Sequence, residues 1–316
     1  MKCALTAGMR CVLLTALVAV SASVCAEPFA WAVNSRGNDA DSQRVDALWR
    51  VDLANGSAEY VGWTSFLDLE AIALDDQGTL FGADDDSKTL VRISQTSGLA
   101  IPVGGVSNRS NMGVSAFENL DFGMSLDCAG QAYVVSNTRE SLYLADLETG
   151  ELTLVGASGS LGAPITDLAI RGDQAFGIGV GLNANGSTAA PELYAIDLDT
   201  ATAELVGPLG SAANPYNNAG LAFDDEGTLW AMTDRRAVPG GDFPSEILRI
   251  DPVTGQAEKV ADSIVGFESL AIAPTGGCGR GSSAALGVST LSQSALVLMA
   301  LLAAFVGLVQ LRTRQP

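Results

Sequence analysis

A phrase that returns about every fifty residues, four short strand-like segments within each period, and no apolar stripe of helical spacing between residues 27 and 280 together predict an all-β repeat protein. Four-stranded units arranged around an axis make a β-propeller. The count of units predicts five blades; six is the alternative if the N-terminal strands form a blade of their own.

The repeat reads LEAIALDDQGTLFGADD from Leu69, LDFGMSLDCAGQAYVVSN from Leu120, ITDLAIRGDQAFGIG from Ile165 and NAGLAFDDEGTLWAMTD from Asn218. Each copy is followed by a second phrase: TLVRISQTSG from Thr89, SLYLADLETG from Ser141, ELYAIDLDTA from Glu192 and EILRIDPVTG from Glu246. In the first full unit the strands are expected at Leu69–Leu74, Thr79–Ala83, Leu90–Ser94 and Ala100–Val103. The Asp-, Gly- and Ser-rich clusters between them mark turns. A further first-strand phrase, FESLAIAP from Phe267, has no following strands before the tail, whereas FAWAVN from Phe29, ALWRVDLANG from Ala47 and AEYVG from Ala58 have no first strand before them. One blade is therefore expected to combine one C-terminal strand with three N-terminal ones, closing the ring and removing open edges.

The alignment sorts the connections onto two faces. Turns such as DDQG, DCAG, DDEG and ETGE are short and share one face. The stretches Ser35–Asp46, Val106–Asn119, Gly179–Pro191, Pro208–Asn217 and Thr233–Ser245 are long and share the other. Long loops on a rigid scaffold are where binding surfaces sit, so the long-loop face is the expected working face.

The chain ends frame this domain. Residues 1–26 read as a signal peptide, with Lys2 and Arg10, an apolar run from Cys11 to Val20 and Val24-Cys25-Ala26 before Glu27. The expected organisation continues with a propeller at 27–276, a Gly/Ser-rich linker at 277–294, a transmembrane helix at 295–311 and a basic cytoplasmic tail at 312–316. An exported protein of the cell envelope follows, held by its C-terminal helix with the propeller outside the cytoplasm. The tail VSTLSQSALVLMALLAAFVGLVQLRTR, from Val288 to Arg314, resembles the IPTL-type (PEP-like) C-terminal sorting signal of exported bacterial proteins, through Val288, Thr290, Leu291, Ser292 and Gln293, the apolar run and the closing arginines. Ser289 stands where that signal has proline, and Ser294 where it has tryptophan. The resemblance implies a sorting or processing enzyme as a partner.

All 36 acidic residues but only 12 of the basic ones lie in the segment 27–279, which therefore carries a net charge of −24. Such a domain repels nucleic acid and favours cationic, carbohydrate or protein ligands. Cys128 and Cys278 are the two cysteines left after signal removal, and an exported pair of this kind is expected to form a disulfide.

The sequence contains no histidine, which removes Ser-His-Asp and Cys-His nucleophile arrangements and His-ligated zinc. Any chemistry must then rest on carboxylates. At the start of the first strands the aligned column reads Glu70, Phe122, Thr166, Ala219 and Glu268, with Asp68, Asp121 and Asp167 within a residue of that level. Glu70, Asp121, Asp167 and Glu268 are the candidate ligands of Ca²⁺ or Mg²⁺, although no cofactor is required by this reading. The alternative is that these acids bond nearby backbone and stay solvated. Asp84, Asp85 and Asp86 fail the spacing of a calcium loop and read as a solvated acidic loop. Aromatic and arginine residues on the long loops, namely Trp63, Phe66, Arg109, Phe117, Tyr216, Arg235, Arg236 and Phe243, are the candidate ligand-binding set. They serve equally well to pack loops onto blades. The favoured function is a non-catalytic binding or adhesion-type surface protein. A divalent-cation-dependent hydrolase or lyase, and a structural envelope protein, are the alternatives.

Overall fold

The structure is a computed structural model that describes residues 28–34, 46–115, 119–182, 191–236, 238–241 and 243–272. In chain order its strands are β1 (Phe29–Asn34), β2 (Ala47–Asp52), β3 (Ala58–Trp63), β4 (Leu69–Leu74), β5 (Leu80–Asp84), β6 (Thr89–Ile93), β7 (Ala100–Pro102), β8 (Phe122–Leu126), β9 (Ala132–Ser136) and β10 (Ser141–Ala145). They continue with β11 (Leu152–Val155), β12 (Ile165–Arg171), β13 (Gln174–Gly179), β14 (Glu192–Asp197), β15 (Thr202–Pro208), β16 (Asn218–Phe223), β17 (Leu229–Asp234), β18 (Glu246–Ile250), β19 (Ala257–Asp262) and β20 (Ala271–Ile272). They form five antiparallel four-stranded sheets, so the molecule is a five-bladed β-propeller.

Blade 1 is the composite one. Its order is β20-β1-β2-β3, with Ala30 opposite Ile272 and Trp31 opposite Ala271. Phe267 adds an isolated bridge to Asn34, and Glu268 N–H donates to Val33 C=O at 3.1 Å. Blades 2 to 5 follow as β4–β7, β8–β11, β12–β15 and β16–β19. The first strands β20, β4, β8, β12 and β16 touch in ring order around the axis.

The turns explain some of the acidity. In blades 2, 3 and 5 the first hairpin closes on an aspartate whose Oδ1 accepts two backbone N–H groups. Asp75 takes Gln77 and Thr79, Asp127 takes Ala129 and Gln131, and Asp224 takes Glu226 and Thr228, all within 2.7–2.9 Å. Aspartate is selected there because its side chain completes the turn that the backbone cannot. The outer hairpins use the same device at Asp146 and Asp197. The N–H groups of Glu148 and Thr149 hold the Asp146 carboxyl below the usual carboxylate range.

The apolar interior is divided. Among the described residues, five apolar clusters each fill one seam between neighbouring blades. Phe81 and Leu90 of blade 2 meet Phe122 and Val134 of blade 3, and Trp49 of blade 1 meets Trp230 and Met232 of blade 5. Trp230 is fully buried, and its indole N–H donates to Asp224 Oδ2 at 2.8 Å.

The rim of each seam repeats a second contact. The first residue of an outer strand, or the second in β15, donates its N–H to a carbonyl in the connection that leaves the preceding blade. The pairs are Ala100 to Thr64, Leu152 to Met112, Ala203 to Leu161 and Ala257 to Leu209, at 2.9–3.2 Å. At the closing seam, Ser263 Oγ instead donates to Gly56 C=O at 2.7 Å. This approach needs glycine where backbones meet. A Cβ on Gly62 would strike the Ser97 carbonyl, and one on Gly207 the Thr254 carbonyl.

Candidate functional site

Adjacent first strands belong to different sheets and share no ladder, so their axis-facing N–H groups need other acceptors. The sequence supplies them as acids at the aligned level. Glu70 of blade 2 accepts from Phe122 N–H of blade 3 at 2.8 Å. Asp167 of blade 4 accepts from Met124 N–H of blade 3 at 2.8 Å through Oδ1, and from Leu221 N–H of blade 5 at 2.7 Å through Oδ2. Its own strand adds Leu168 N–H at 2.9 Å. Blade 3 is thus held from both sides by carboxylates of its neighbours. The Thr166 hydroxyl bonds Ala219 C=O of blade 5 at 3.2 Å.

Glu268, beside β20, pairs with Arg236, which also contacts Asp234 Oδ2 at 2.8 Å. This joins the composite blade to blade 5 on the long-loop face. Farther from the axis, the fully buried Glu246 of β18 has a comparable role. It receives Arg235 at 3.3 Å, Lys259 at 2.9 Å and both the backbone and side-chain N–H of Asn214, at 3.2 and 2.6 Å.

Of the four residues expected to hold a cation, Glu70 bonds across blades 2 and 3, Asp167 across blades 3, 4 and 5, and Glu268 between blades 1 and 5, while Asp121 lies near Glu70. Among the described residues a different trio forms a cluster: Asp68, Glu70 and Asp85 each place a carboxylate oxygen within 4.8 Å of the others, at the mouth between blades 2 and 3. Asp121 lies close enough to act on Glu70 electrostatically. Lys88 reaches into this group. Its ammonium bonds Asp85 Oδ1 at 2.9 Å and also the Asp85 carbonyl, and Lys88 itself is only 2% exposed.

The solvated-loop reading of Asp84 to Asp86 needs correcting for two of its three members. Asp84 is fully buried and accepts from Asp68 N–H at 3.0 Å and Ser87 N–H at 2.7 Å. Asp85 is 2% exposed and takes Leu120 N–H as well as Lys88. Both acids are turned inward because the turn offers a lysine and several unpaired backbone donors, a compensation that composition alone does not reveal. Asp86 is exposed.

Burial pushes the Glu70 carboxyl well above the usual carboxylate range, and Asp121, Asp68 and Asp85 add to the shift against the pull of Phe122 N–H. Burial also raises Asp85, against Lys88 and Leu120 N–H, and raises Asp167 despite its three donors. A carboxyl raised in the folded state keeps its proton to higher pH than in the unfolded chain. Its contribution is fully present below the ordinary carboxylate pKa and is lost as pH rises through the raised value. Stability is expected to increase as pH falls through the raised values towards the ordinary carboxylate pKa of about 4, and to decline below it, where turn aspartates such as Asp146 take up protons. Glu70→Gln keeps an acceptor for Phe122 N–H without the charge. Its melting temperature is expected to exceed that of the parent at pH 8 by roughly 2–4 °C, the equivalent of about 1 kcal/mol in a domain of this size, and to converge with the parent at acid pH. Thermal melts of both proteins across pH check this; parallel curves would refute it.

The aromatic and arginine set is distributed as follows. Phe66 is 2% exposed and lies beneath the Arg109 guanidinium, 4.5 Å from its ring centre. Tyr216 is fully buried and donates to Gly179 C=O at 2.7 Å. Arg235 stacks on Phe243 at 4.9 Å while binding Glu246, and Arg236 is engaged as above. Trp63, at the end of β3, is 53% exposed. Phe117 lies outside the described residues. Most of this set packs loops onto blades, and among its described members Trp63 presents the large open ring.

On the opposite face a small apolar pocket of about 80 Å³ opens at the axis, lined by Ile72, Met124, Leu126, Leu221 and Leu270 with Cys128 at its rim. Cys128 is disulfide-bonded. Cys278 and the other cysteines lie outside the described residues, as do the expected signal peptide, sorting signal and membrane span. Among the described residues no helix is long and apolar enough to cross a membrane.

Lys88 and Glu246 are the engaged residues that sequence reasoning misses. The usable signal at Lys88 is its place three residues after an aspartate in a very acidic turn. Glu246 has none, since its partners Arg235, Lys259 and Asn214 are brought together only by the blade.

No protein-family model matches the chain, and no curated protein matches it. Among solved structures, one from work on the de novo evolutionary emergence of a symmetrical protein aligns at 14% identity with a TM-score of 0.44, over 77% of this chain and 97% of its own.

Proposed function

We propose that the protein is an exported, membrane-anchored, non-catalytic binding propeller of the bacterial envelope, which receives a cationic or neutral polar ligand at the long-loop mouth. The observation that supports this reading is the engagement of the mouth carboxylates. Asp167 and Glu70 hold backbone N–H groups of neighbouring blades, Asp85 holds Lys88 and Glu268 holds Arg236. A glycosidase-type acid/base pair needs carboxylates committed to substrate and water, and these are committed to the ring. The net charge of −24 over residues 27–279 still makes the domain attractive to cations. In calorimetric titrations a polyamine is expected to bind with an affinity that falls as salt rises. An equally charged polyanion is expected not to bind. Equal behaviour of the two would remove the proposal.

The second reading is a divalent cation at Asp68, Glu70 and Asp85, favoured by the 4.8 Å clustering of their oxygens. It would have to displace Lys88. Calcium at a hundredfold excess over its Kd would add about 2.7 kcal/mol to stability, a rise of roughly 5–10 °C in melting temperature, reversed by chelator and enlarged in Lys88→Ala. Melting curves that calcium and chelator leave unchanged in both proteins would dismiss the cation, and with it the hydrolase or lyase alternative.

A further inference from the structure

Exposed edge strands invite other strands, and folded proteins block them with bulges, prolines or charges. Four outer strands of this ring carry such devices. Strands β3, β15 and β19 each have a register break against their neighbour, at Leu48/Trp49, Leu193/Tyr194 and Ile247/Leu248. They also carry Glu59, Glu204 and the Glu258–Lys259 pair. Strand β7 is three residues long and ends in Pro102. Strand β11, Leu152-Thr153-Leu154-Val155, has an unbroken register with β10, no proline and no charge.

The orientation of its backbone follows from the rim contact. Leu152 N–H donates to Met112 C=O, away from β10. Alternation along an antiparallel strand then turns the N–H and C=O of Leu154 outward as well. The Leu154 side chain is 40% exposed.

A second, independent feature adjoins this edge. An open shelf of about 340 Å³ runs beside it, lined by Gln131, Leu144, Asp146, Glu151 and Thr153. Asp146 and Glu151 are exposed, and the lowered pKa of Asp146 keeps it ionised.

We propose that the open part of the β11 edge of blade 3, at Leu154 beyond the Met112 contact, docks an extended segment of a partner protein, added as a short fifth strand, with a long basic side chain that meets Asp146 and Glu151. Backbone pairing supplies affinity in this mode, and side-chain pockets supply specificity. A second copy of this chain is the poorer occupant. It would bring its own β11, which has no basic residue, together with Glu148 and Glu151, against a domain that already carries the same sign of charge.

The test uses the capped peptide Val-Thr-Val-Thr-Arg and its Glu-ended counterpart as probes, followed through the backbone amides of the isotope-labelled protein. The Arg-ended peptide is expected to shift the Leu154 and Gly156 amides with a Kd on the order of 1 mM, and the Glu-ended peptide to bind at least about tenfold more weakly. Leu154→Pro removes the outward N–H and Leu154→Lys charges the edge. Each is expected to abolish the shifts, and Leu154→Lys to retain the parent melting temperature. Shifts that avoid Leu154, equal binding of the two peptides, or retained binding in Leu154→Lys would overturn the proposal. So would sedimentation showing a dimer of the parent that Leu154→Lys dissociates, since the occupant would then be a second copy.

Discussion

Replacing Asp167 by alanine is expected to destabilise the ring by about 3–5 kcal/mol, the largest effect of any single polar substitution at the mouth. The carboxylate accepts N–H groups from three strands, one in its own blade and one in each neighbour. Its removal leaves Met124, Leu168 and Leu221 N–H buried without their acceptor, at about 1–3 kcal/mol each before relaxation. Water entering the vacated space recovers some of that sum. In thermal unfolding the loss corresponds to a fall of about 10 °C or more. Amide exchange provides the specific signature: the Met124 and Leu221 amides, in different blades, are expected to lose protection together. Asp167→Asn separates charge from bonding. Its amide oxygen replaces one carboxylate oxygen, while its NH₂ group meets a donor. It is expected to fall about midway between parent and alanine variant if the role is acceptance of N–H. An alanine variant as stable as the parent would show that the three bonds contribute little.

Gly220→Val is expected to be comparably damaging by a different route. Gly220 lies in β16, and a Cβ there would strike the backbone of Ser269 and Leu270. Side chains can rotate away from an intruder, but backbone cannot, so the displaced element is the segment that enters β20. Overpacking commonly costs about 1–3 kcal/mol, and the loss here includes the pairing of β20 with β1. The expected outcome is a destabilisation of more than about 3 kcal/mol, with amide protection of Ala30 and Trp31 falling before that of blades 2 to 4. Uniform loss of protection around the ring would mean that closure is not the weak point.

The architecture was legible because the repeat carries it twice over, in its apolar spacing and in its turn aspartates. Aligning FESLAIAP with the first-strand phrase placed the C-terminal strand in the blade of β1 to β3, and the pairing of Ala271 with Trp31 follows. The site was only partly legible. The aligned column places residues that meet across blades, since Glu70 reaches Phe122 and Thr166 reaches Ala219 in the adjoining blade. What each acid faces depends on which way the strand edge presents its N–H groups, and one sequence does not contain that information. Asp85 illustrates the gap: its burial is made tolerable by Lys88 and Leu120 N–H, the second lying 35 residues away. The packing alternative for the aromatic set is what two of its members show. Tyr216 and Phe66 lie in loop stretches, yet their rings fill seams, because a connection that crosses from one blade to the next must cover the joint it crosses.

The closing strand is only two residues long. Tension drawn along the chain beyond Ile272 reaches β1 first, through the pairs of Ala30 with Ile272 and Trp31 with Ala271. A pull along the strand loads these pairs in shear, and only two of them share it. Phe267 against Trp49, their ring centres 6.3 Å apart, and Glu268 against Arg236 stand behind them as the next resistance. The ring is therefore mechanically polar. Pressure on the long-loop face is spread over five seams, whereas traction at the exit concentrates on one.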